Sequence, residues 1–263
     1  MRSDILDRIL KKKEEEVKAA QKRMPLSGLR AEAEKPRSRR PFFDKLVAPG
    51  PFGANVIAEI KRGSPSRGPI RDDLDPADYA RAYETGGAAA ISVLTDESFF
   101  LGGPKDLQKA RAATRLPVLR KDFIISEYQL YEAACLGADA VLLIVRALSR
   151  EFLSSSLQLC SELGLSALVE VHSEQELESA SRANARLIGI NNRDLSSFKT
   201  DIRTSIGLAR LLQSDQVAVA ESGIHGREQV EELLNAGIWN FLIGESLVRA
   251  DDPVSFLRKL LGQ

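Results

Sequence analysis

An acid and a base stand two residues apart at the end of an apolar run, in the sequence Val-Ile-Ala-Glu-Ile-Lys-Arg-Gly-Ser-Pro-Ser of residues 56–66. In an extended strand, side chains two positions apart point to the same side, so Glu59 and Lys61 face together while Ala58 and Ile60 face away. Charges at the end of a buried strand are costly unless they are used or fully hydrogen-bonded. The pattern therefore predicts either an acid/base pair or a structural ion pair.

Further polar side chains close other apolar runs, namely Lys121, Glu170, Asn191 and Glu221. Each of the charged three shares its strand face with an apolar residue two positions earlier: Leu119, Leu168 and Val219. A single such charge could equally be a bonded structural group. Buried ionisable groups are seldom gathered in one place without a function, however. We therefore expect one site that contains two lysines and three glutamates.

Glycine-containing loops follow the last two apolar runs of the sequence, at about 217–221 and 240–244. These loops contain Ser222-Gly223 and Gly244-Glu245. Barrel enzymes often bind phosphate at these positions through backbone N–H groups. Ser64, in the loop after the first run, adds a candidate hydroxyl, whereas Glu245 would contribute only its amide because its carboxylate repels an anion. The loops predict a local phosphate site.

Apolar side chains stand beside the same predicted strand ends: Phe99, Phe100, Phe123, Leu142 and Leu195. Core packing is the simpler explanation for some of them. The pair Phe99-Phe100, followed by Leu101-Gly102-Gly103, is instead typical of a lid over a flat, partly apolar substrate.

Eight short apolar runs must position these groups, at about 55–60, 89–94, 117–121, 139–144, 166–170, 187–190, 217–221 and 240–244. The spacing leaves room for one helix between successive runs, which predicts repeated βα units. A closed (βα)8 TIM barrel of the α/β class fits this count better than a doubly wound sheet, because no Gly-x-Gly-x-x-Gly follows the first run.

Residues 1–48 stand outside the repeat, so we expect an N-terminal helical extension that caps the barrel mouth and a barrel over 49–263. Residues 3–23 have a thin apolar stripe at helical spacing, and the run 11–16 is interpreted as a solvated face of paired charges. The basic stretch 36–41 could alternatively be a nucleic-acid arm, but no aromatic residues interleave its charges.

Composition restricts the possible partners. Lys+Arg and Asp+Glu are both 37, which argues against broad binding of nucleic acid or of an anionic membrane. Cys135 and Cys160 are far apart and read as reduced thiols, and His172 and His225 lack zinc-ligand spacing. With no signal-peptide pattern or membrane span, we expect a cytoplasmic protein.

Seven segments resemble the indole-3-glycerol phosphate synthases of tryptophan biosynthesis in order and spacing: 58–66, 94–100, 121–124, 168–172, 189–195, 220–224 and 242–247. One departure is Gly103, where that family commonly has a serine; we expect it to change only hydrogen bonding in the lid. The resemblance implies a carboxy-lyase that needs no cofactor and no metal. It also implies that 1-(2-carboxyphenylamino)-1-deoxyribulose 5-phosphate is converted to indole-3-glycerol phosphate, carbon dioxide and water.

Such a ring closure needs a general acid at the ketone oxygen, a cation for the departing carboxylate and a base for the dehydration. By the family pattern, Lys121 would be the acid and Glu170 the base. Lys61 would hold the carboxylate, and which lysine acts at which step stays open. Glu59 would orient the lysines, which we expect to lower one another's pKa, with help from apolar walls.

The same resemblance implies roles for the remaining site residues. Asn191 and Glu221 would bind sugar hydroxyls or the amine, with support from Arg193 and Ser222. The anthranilate ring would be walled by Phe100, Phe123, Leu142 and Leu195. We expect a monomer whose partner is a phosphorylated small molecule, with no binding of nucleic acid or membranes.

Two other functions remain open at this stage. Phosphoribosylanthranilate isomerase is a phosphate-binding barrel of the same pathway, but it commonly uses a Cys/Asp pair and no cysteine closes a run here. A non-catalytic barrel that binds a sugar phosphate would not require both an acid and a base.

Overall fold

The computed structural model describes residues 5–65, 67–194 and 199–263. Its strands are β1 (Asn55–Ile60), β2 (Gly63–Ser64), β3 (Gly68–Pro69), β4 (Ala90–Leu94), β5 (Val118–Lys121), β6 (Ala140–Ile144), β7 (Ser166–Val171), β8 (Leu187–Asn191), β9 (Val217–Glu221) and β10 (Asn240–Ile243). Its helices are α1 (Ile5–Arg23), α2 (Leu26–Ala33), α3 (Pro76–Thr85), α4 (Glu97–Phe100), α5 (Pro104–Ala113), α6 (Glu127–Cys135), α7 (Arg150–Leu163), α8 (Glu174–Arg182), α9 (Arg203–Ala209), α10 (Arg227–Asn235), α11 (Glu245–Arg249) and α12 (Pro253–Leu261).

Eight parallel strands close a barrel in the order β1-β10-β9-β8-β7-β6-β5-β4, while β2 and β3 form a separate small hairpin. The barrel strands coincide with the eight predicted apolar runs, and the predicted (βα)8 barrel is confirmed. An open doubly wound sheet is excluded because β1 pairs with both β10 and β4. All carboxyl ends of the strands therefore meet at one mouth.

Alternation along the strands divides the apolar residues between two cores. In β1, Ile57 belongs to a cluster inside the barrel, whereas Ala58 and Ile60 belong to the cluster between strands and helices. Leu119, Leu168 and Val219 also lie inside. This is the direction predicted from the sequence, and it aims the polar residue two positions later at the mouth.

The last part of the N-terminal segment closes the opposite end of the barrel. Phe42 and Leu46 are 1% and 0% exposed and pack in the interior cluster. The Leu46 carbonyl accepts hydrogen bonds from Trp239 Nε1 at 3.1 Å and Asn240 Nδ2 at 3.0 Å, beside the amino end of β10. Burial of each apolar side chain contributes about 1.5–3 kcal/mol, so these residues stabilise the base of the barrel.

The basic stretch before this plug is bound to backbone carbonyls. Arg40 donates to Leu116 O at 2.7 Å. Arg37 donates at 2.7–3.0 Å to the carbonyls of Ala134, Ala138 and Leu163. Two of the arginines that suggested a nucleic-acid arm are thus used within the chain. Among the described residues, no helix combines the length and apolarity that a membrane crossing requires.

Candidate active site

A cavity of about 190 Å³ opens at the carboxyl ends of the barrel strands. The predicted residues that line it are Glu59, Lys61, Ser64, Phe100, Lys121, Phe123, Leu142, Glu170, Asn191, Arg193, Glu221, Ser222, Gly223, Gly244 and Glu245. Leu195, the other predicted site residue, lies outside the described residues. The barrel therefore gathers at one mouth residues that are spread over most of the sequence.

Five ionisable side chains form what we call the mouth cluster: Glu59, Lys61, Lys121, Glu170 and Glu221. Lys61 Nζ lies 2.8 Å from Glu59 Oε1. The two side chains that were predicted to point to the same side of the strand therefore form an ion pair. Lys121 Nζ pairs closely with Glu221 and lies 3.5 Å from Glu170 Oε2. The cluster thus places a proton donor next to two carboxylates in a largely buried setting.

Charge balance decides the pKa values in this cluster. Burial disfavours the charged form of Lys121, but Glu221, Glu170 and Glu59 outweigh it and raise the pKa of the ammonium. The expected lowering of the lysine pKa values is therefore wrong for Lys121, because its nearest neighbours are carboxylates rather than the other lysine. Burial likewise opposes ionisation of Glu59, but Lys61 and Lys121 hold its pKa below the ordinary value.

Glu221 is the carboxylate that ionises least readily. Burial, aided by the charge of Glu170 and opposed by Lys121, raises its pKa to about 7. Its Oε1 is buried and has no hydrogen-bond partner among the described residues. Gly189 on the neighbouring strand gives this oxygen its space, since a Cβ at Gly189 would collide with it.

Asn191 and Arg193 extend the mouth from the end of β8. Asn191 Oδ1 accepts a hydrogen bond from the Arg193 amide at 3.0 Å, which fixes the turn that follows the strand. The positive charge of Arg193 contributes to the lowered pKa of Glu59 across the cavity. These two residues can therefore hold polar groups of a ligand on the side opposite the lysines.

One wall of the cavity is aromatic. The rings of Phe100 and Phe123 are 6.0 Å apart, and Leu142 also lines the cavity. Phe100 belongs to the single turn α4, which Asp96 caps by accepting from the amides of Phe99 and Phe100. Phe99 is half-buried and does not line the cavity. A flat ring fits against this wall.

The two glycine loops lie on the other side of the cavity. Ser222 and Gly223 have successive φ angles of 68° and 76°, which turn the backbone sharply after β9. A side chain at Gly244 would collide with the Glu59 carboxylate, so the loop after β10 packs directly on the mouth cluster. The Glu245 carboxylate is 3.1 Å from Arg249 Nε. Both loops thus bring backbone to the wall of the cavity.

Helix α1 contributes residues to this cavity that the sequence analysis did not name as site residues, although the N-terminal extension was expected to cap the mouth. Ile5, Leu6 and Ile9 line it, so the apolar stripe of the first helix faces the mouth. The helical spacing of these residues was visible in the sequence, but nothing local showed which of them would reach the cavity.

The interpretation of 11–16 as a solvated face is wrong for Lys13. Its side chain is 5% exposed, and Nζ lies 2.9 Å from both Asp96 Oδ2 and Asp122 Oδ1. Arg120 Nη2 is 3.0 Å from the other oxygen of Asp122. We call these four residues the anchor cluster, because they fasten α1 to the ends of β4 and β5. Lys12, by contrast, is exposed and pairs with Glu15.

Neither cysteine belongs to the site. Cys135 and Cys160 are free thiols on α6 and α7, and neither lines the cavity. In the part of the chain that the structure describes, no group of three or more His, Cys, Asp or Glu side chains is placed to hold a metal ion.

Comparisons with known proteins identify the family of the chain. The family model described as indole-3-glycerol phosphate synthase matches residues 6–260. A protein of that name from Syntrophobacter fumaroxidans is 56% identical over 99% of this chain and 98% of its own length. Its namesake from Desulfosudis oleivorans is 57% identical over 98% of this chain and 99% of its own length.

More distant structures share the fold alone. A thiamine phosphate pyrophosphorylase from Pyrococcus furiosus superposes with a TM-score of 0.59 at 15% identity, covering 79% of this chain and 93% of its own. The full-length family match, the high identities and the barrel mouth lead to one conclusion: the chain belongs to the indole-3-glycerol phosphate synthase family of carboxy-lyases.

Proposed function

We propose that the mouth cluster closes the indole ring of indole-3-glycerol phosphate from 1-(2-carboxyphenylamino)-1-deoxyribulose 5-phosphate, with release of carbon dioxide and water. The observation that carries the proposal is the pairing of Lys121 with Glu170 and Glu221 beside an aromatic wall. Binding alone would not need a buried acid next to a buried base.

Lys121 acts as the general acid in ring closure. Its raised pKa keeps the ammonium protonated at neutral pH, which is the form that can donate to the ketone oxygen as the aromatic carbon attacks. Lys61 holds the substrate carboxylate until carbon dioxide leaves, and Glu59 at 2.8 Å orients the Lys61 ammonium. Either lysine can serve the dehydration step as the acid.

Glu170 acts as the base in dehydration. It removes the proton from the ring system while the hydroxyl leaves as water, and its position 3.5 Å from Lys121 keeps acid and base on the same reacting centre. Glu221 and Asn191 bind sugar hydroxyls or the amine, and Arg193 and Ser222 support them. Phe100, Phe123, Leu142 and Leu195 confine the anthranilate ring.

The phosphate binds at the loops that contain Gly223 and Gly244, with Ser64 and the Glu245 amide as further donors. Binding energy from this remote group helps to align the reacting end, so its loss should lower kcat as well as raise KM. The dephosphorylated substrate should lose on the order of 10²-fold in kcat/KM. Equal efficiency of the two compounds would remove the phosphate site from the proposal.

Residues 1–48 act as an extension of a barrel that spans 49–263. Its first helix covers the mouth through Ile5, Leu6 and Ile9, and Phe42 and Leu46 close the base. The protein is proposed to work as a cytoplasmic monomer on a small phosphorylated substrate, with no part for nucleic acid, membrane or cofactor.

One assay tests the proposed reaction. The protein is mixed with the substrate, and the appearance of indole fluorescence is followed together with the release of carbon dioxide. The double variant Lys121→Met, Glu170→Gln serves as the inactive control. A protein that binds the substrate without forming the indole product would instead be a sugar-phosphate-binding barrel.

A further inference from the structure

Beside Glu170, and outside the set of residues that line the cavity, lies a histidine that the proposed reaction does not use. His172 follows β7 and shares the face of Glu170, with its side chain 5% exposed. Its Nε2 lies 3.5 Å from Glu170 Oε1, and this buried nitrogen has no hydrogen-bond partner among the described residues. A buried, unpartnered ring nitrogen that faces a proposed catalytic base requires an explanation.

The other ring nitrogen is fixed by Glu176. Glu176 Oε2 lies 3.2 Å from His172 Nδ1, and the same oxygen accepts a hydrogen bond from the His172 backbone N–H at 2.8 Å. Arg146 Nε donates to Glu176 Oε1 at 3.0 Å. Because an ionised carboxylate only accepts, Nδ1 must carry the proton, and in the neutral ring Nε2 presents a lone pair to Glu170.

The sequence explains why Glu176 stands there. Ser173 is the N-cap of α8 and its hydroxyl accepts from the Glu176 amide, so Glu176 is the third residue of a capping box. In this position the carboxylate reaches back over the helix start, here to the amide of His172. The helix terminus therefore fixes Glu176, and Glu176 fixes the ring.

We propose that His172 is a positioning residue that accepts from Glu170 the proton which Glu170 takes from the substrate. The O–H bond of protonated Glu170 breaks as an N–H bond forms at Nε2, which leaves Glu170 as a carboxylate and His172 as an imidazolium beside Glu176. No other reactant is needed. This inference rests on the base role of Glu170 in the proposed function.

The charges around the ring favour such a transfer. His172 faces Glu170 on its own strand, Glu176 on α8 and Arg146 in the turn after β6, while Lys121 on β5 faces the other oxygen of Glu170. Burial opposes the imidazolium, but Glu176 and Glu170 outweigh both burial and Arg146, and the pKa of His172 is raised. His172 can accept a proton from Glu170 only when its ring is neutral. The transfer should therefore operate only at pH values above the pKa of His172.

The pH profile of kcat/KM tests the transfer. We expect the acid limb of the wild type to lie above the ordinary histidine value of 6.5 and to move to lower pH in His172→Gln, which keeps an amide in place of the ring but cannot accept a proton. Glu176→Gln should move the limb in the same direction. Glu178→Gln is the matched control, since Glu178 is on the same helix and pairs with Arg182 at the surface.

An acid limb that stays in place in a folded His172→Gln protein overturns the proposal, as does an equal shift of the limb in Glu178→Gln.

A second measurement needs no activity and no stable variant at His172. The chain has only two histidines, so imidazole ¹⁵N spectra are simple to assign. We expect the Nδ1–H tautomer for His172, with a pKa that falls in Glu170→Gln; the Nε2–H tautomer, or an unchanged pKa, would contradict the inference.

Discussion

Two buried lysines, Lys13 and Lys121, lie at the same end of the barrel, and their surroundings differ in the balance between buried cations and buried carboxylates. In the anchor cluster, the buried Lys13 and Arg120 face the buried Asp96 and Asp122, and each oxygen of Asp122 lies within 3.0 Å of a cation. The same two cations also pair with Glu16 and Glu132, which are partly exposed to solvent. In the mouth cluster, two lysines face three glutamates, and Glu221 Oε1 is left without a hydrogen bond among the described residues.

The pKa values follow from this difference. Although burial opposes ionisation of Asp122, Arg120 and Lys13 lower its pKa to about 2, so it remains charged under all ordinary conditions. Burial raises the pKa of Glu221 to about 7, within reach of proton exchange. A balanced network of buried charges stabilises structure, whereas an excess of carboxylates keeps protons available for chemistry.

The largest expected effect is on turnover. Lys121→Met should lower kcat by at least about 10²-fold, the range for loss of a general acid, and Glu170→Gln should act similarly with the greatest loss in dehydration. Stability should change less, because Glu221 can take up a proton when Lys121 is gone. Steady-state kinetics and thermal melts measure both; near-wild-type turnover would remove Lys121 from the mechanism.

Lys13→Met should show the opposite pattern. Removing one partner of a buried ion pair costs about 3–5 kcal/mol, because the remaining charges are left uncompensated, so we expect a large fall in the free energy of unfolding. Lys12→Met is the matched control, since the exposed pair with Glu15 should contribute less than about 1 kcal/mol. Equal urea midpoints for the two variants would contradict the anchor role.

The two clusters should also respond to pH in opposite directions. For Glu221, the folded pKa of about 7 exceeds the ordinary value of 4.5, so its contribution to stability is full below 4.5 and is lost as the pH rises through 7. For Asp122, the folded pKa of about 2 is below 3.8, so its contribution is present above 3.8 and is lost as the pH falls toward 2.

Urea unfolding at several pH values separates these contributions. The difference between wild type and Glu221→Gln should change between pH 4.5 and 7, and that between wild type and Asp122→Asn should change between pH 3.8 and 2. Parallel curves in both comparisons would show that the two clusters do not differ in the way described.

The smallest effect is expected at Gly103, which is the N-cap of α5 and provides no side-chain cap. Its extended backbone suits any residue, and a Cβ would meet only Glu97 at ordinary contact distance. Gly103→Ser should therefore add a few tenths of a kcal/mol to stability without changing kcat. A marked loss of activity would show that the lid is sensitive at this position.

Period-two alternation and turn spacing were sufficient to predict the barrel, because each strand must bury one face inside and the other under helices. The same parity predicted that Glu59, Lys121, Glu170 and Glu221 point to one mouth, since side-chain direction in a strand is a local property. The resemblance to a known family added their expected roles. These features depend on short-range geometry that the sequence contains directly.

Tertiary structure alone decided which charges are balanced and which are not. Lys13 looked like its exposed neighbours in sequence, and only the docking of α1 on β4 and β5 buried it between two aspartates. The pKa of Lys121 depends on glutamates that are 49 and 100 positions away in the chain. Burial and charge pairing are sums over neighbours in space, so a local pattern can identify the ionisable groups but not the protonation states that their surroundings impose.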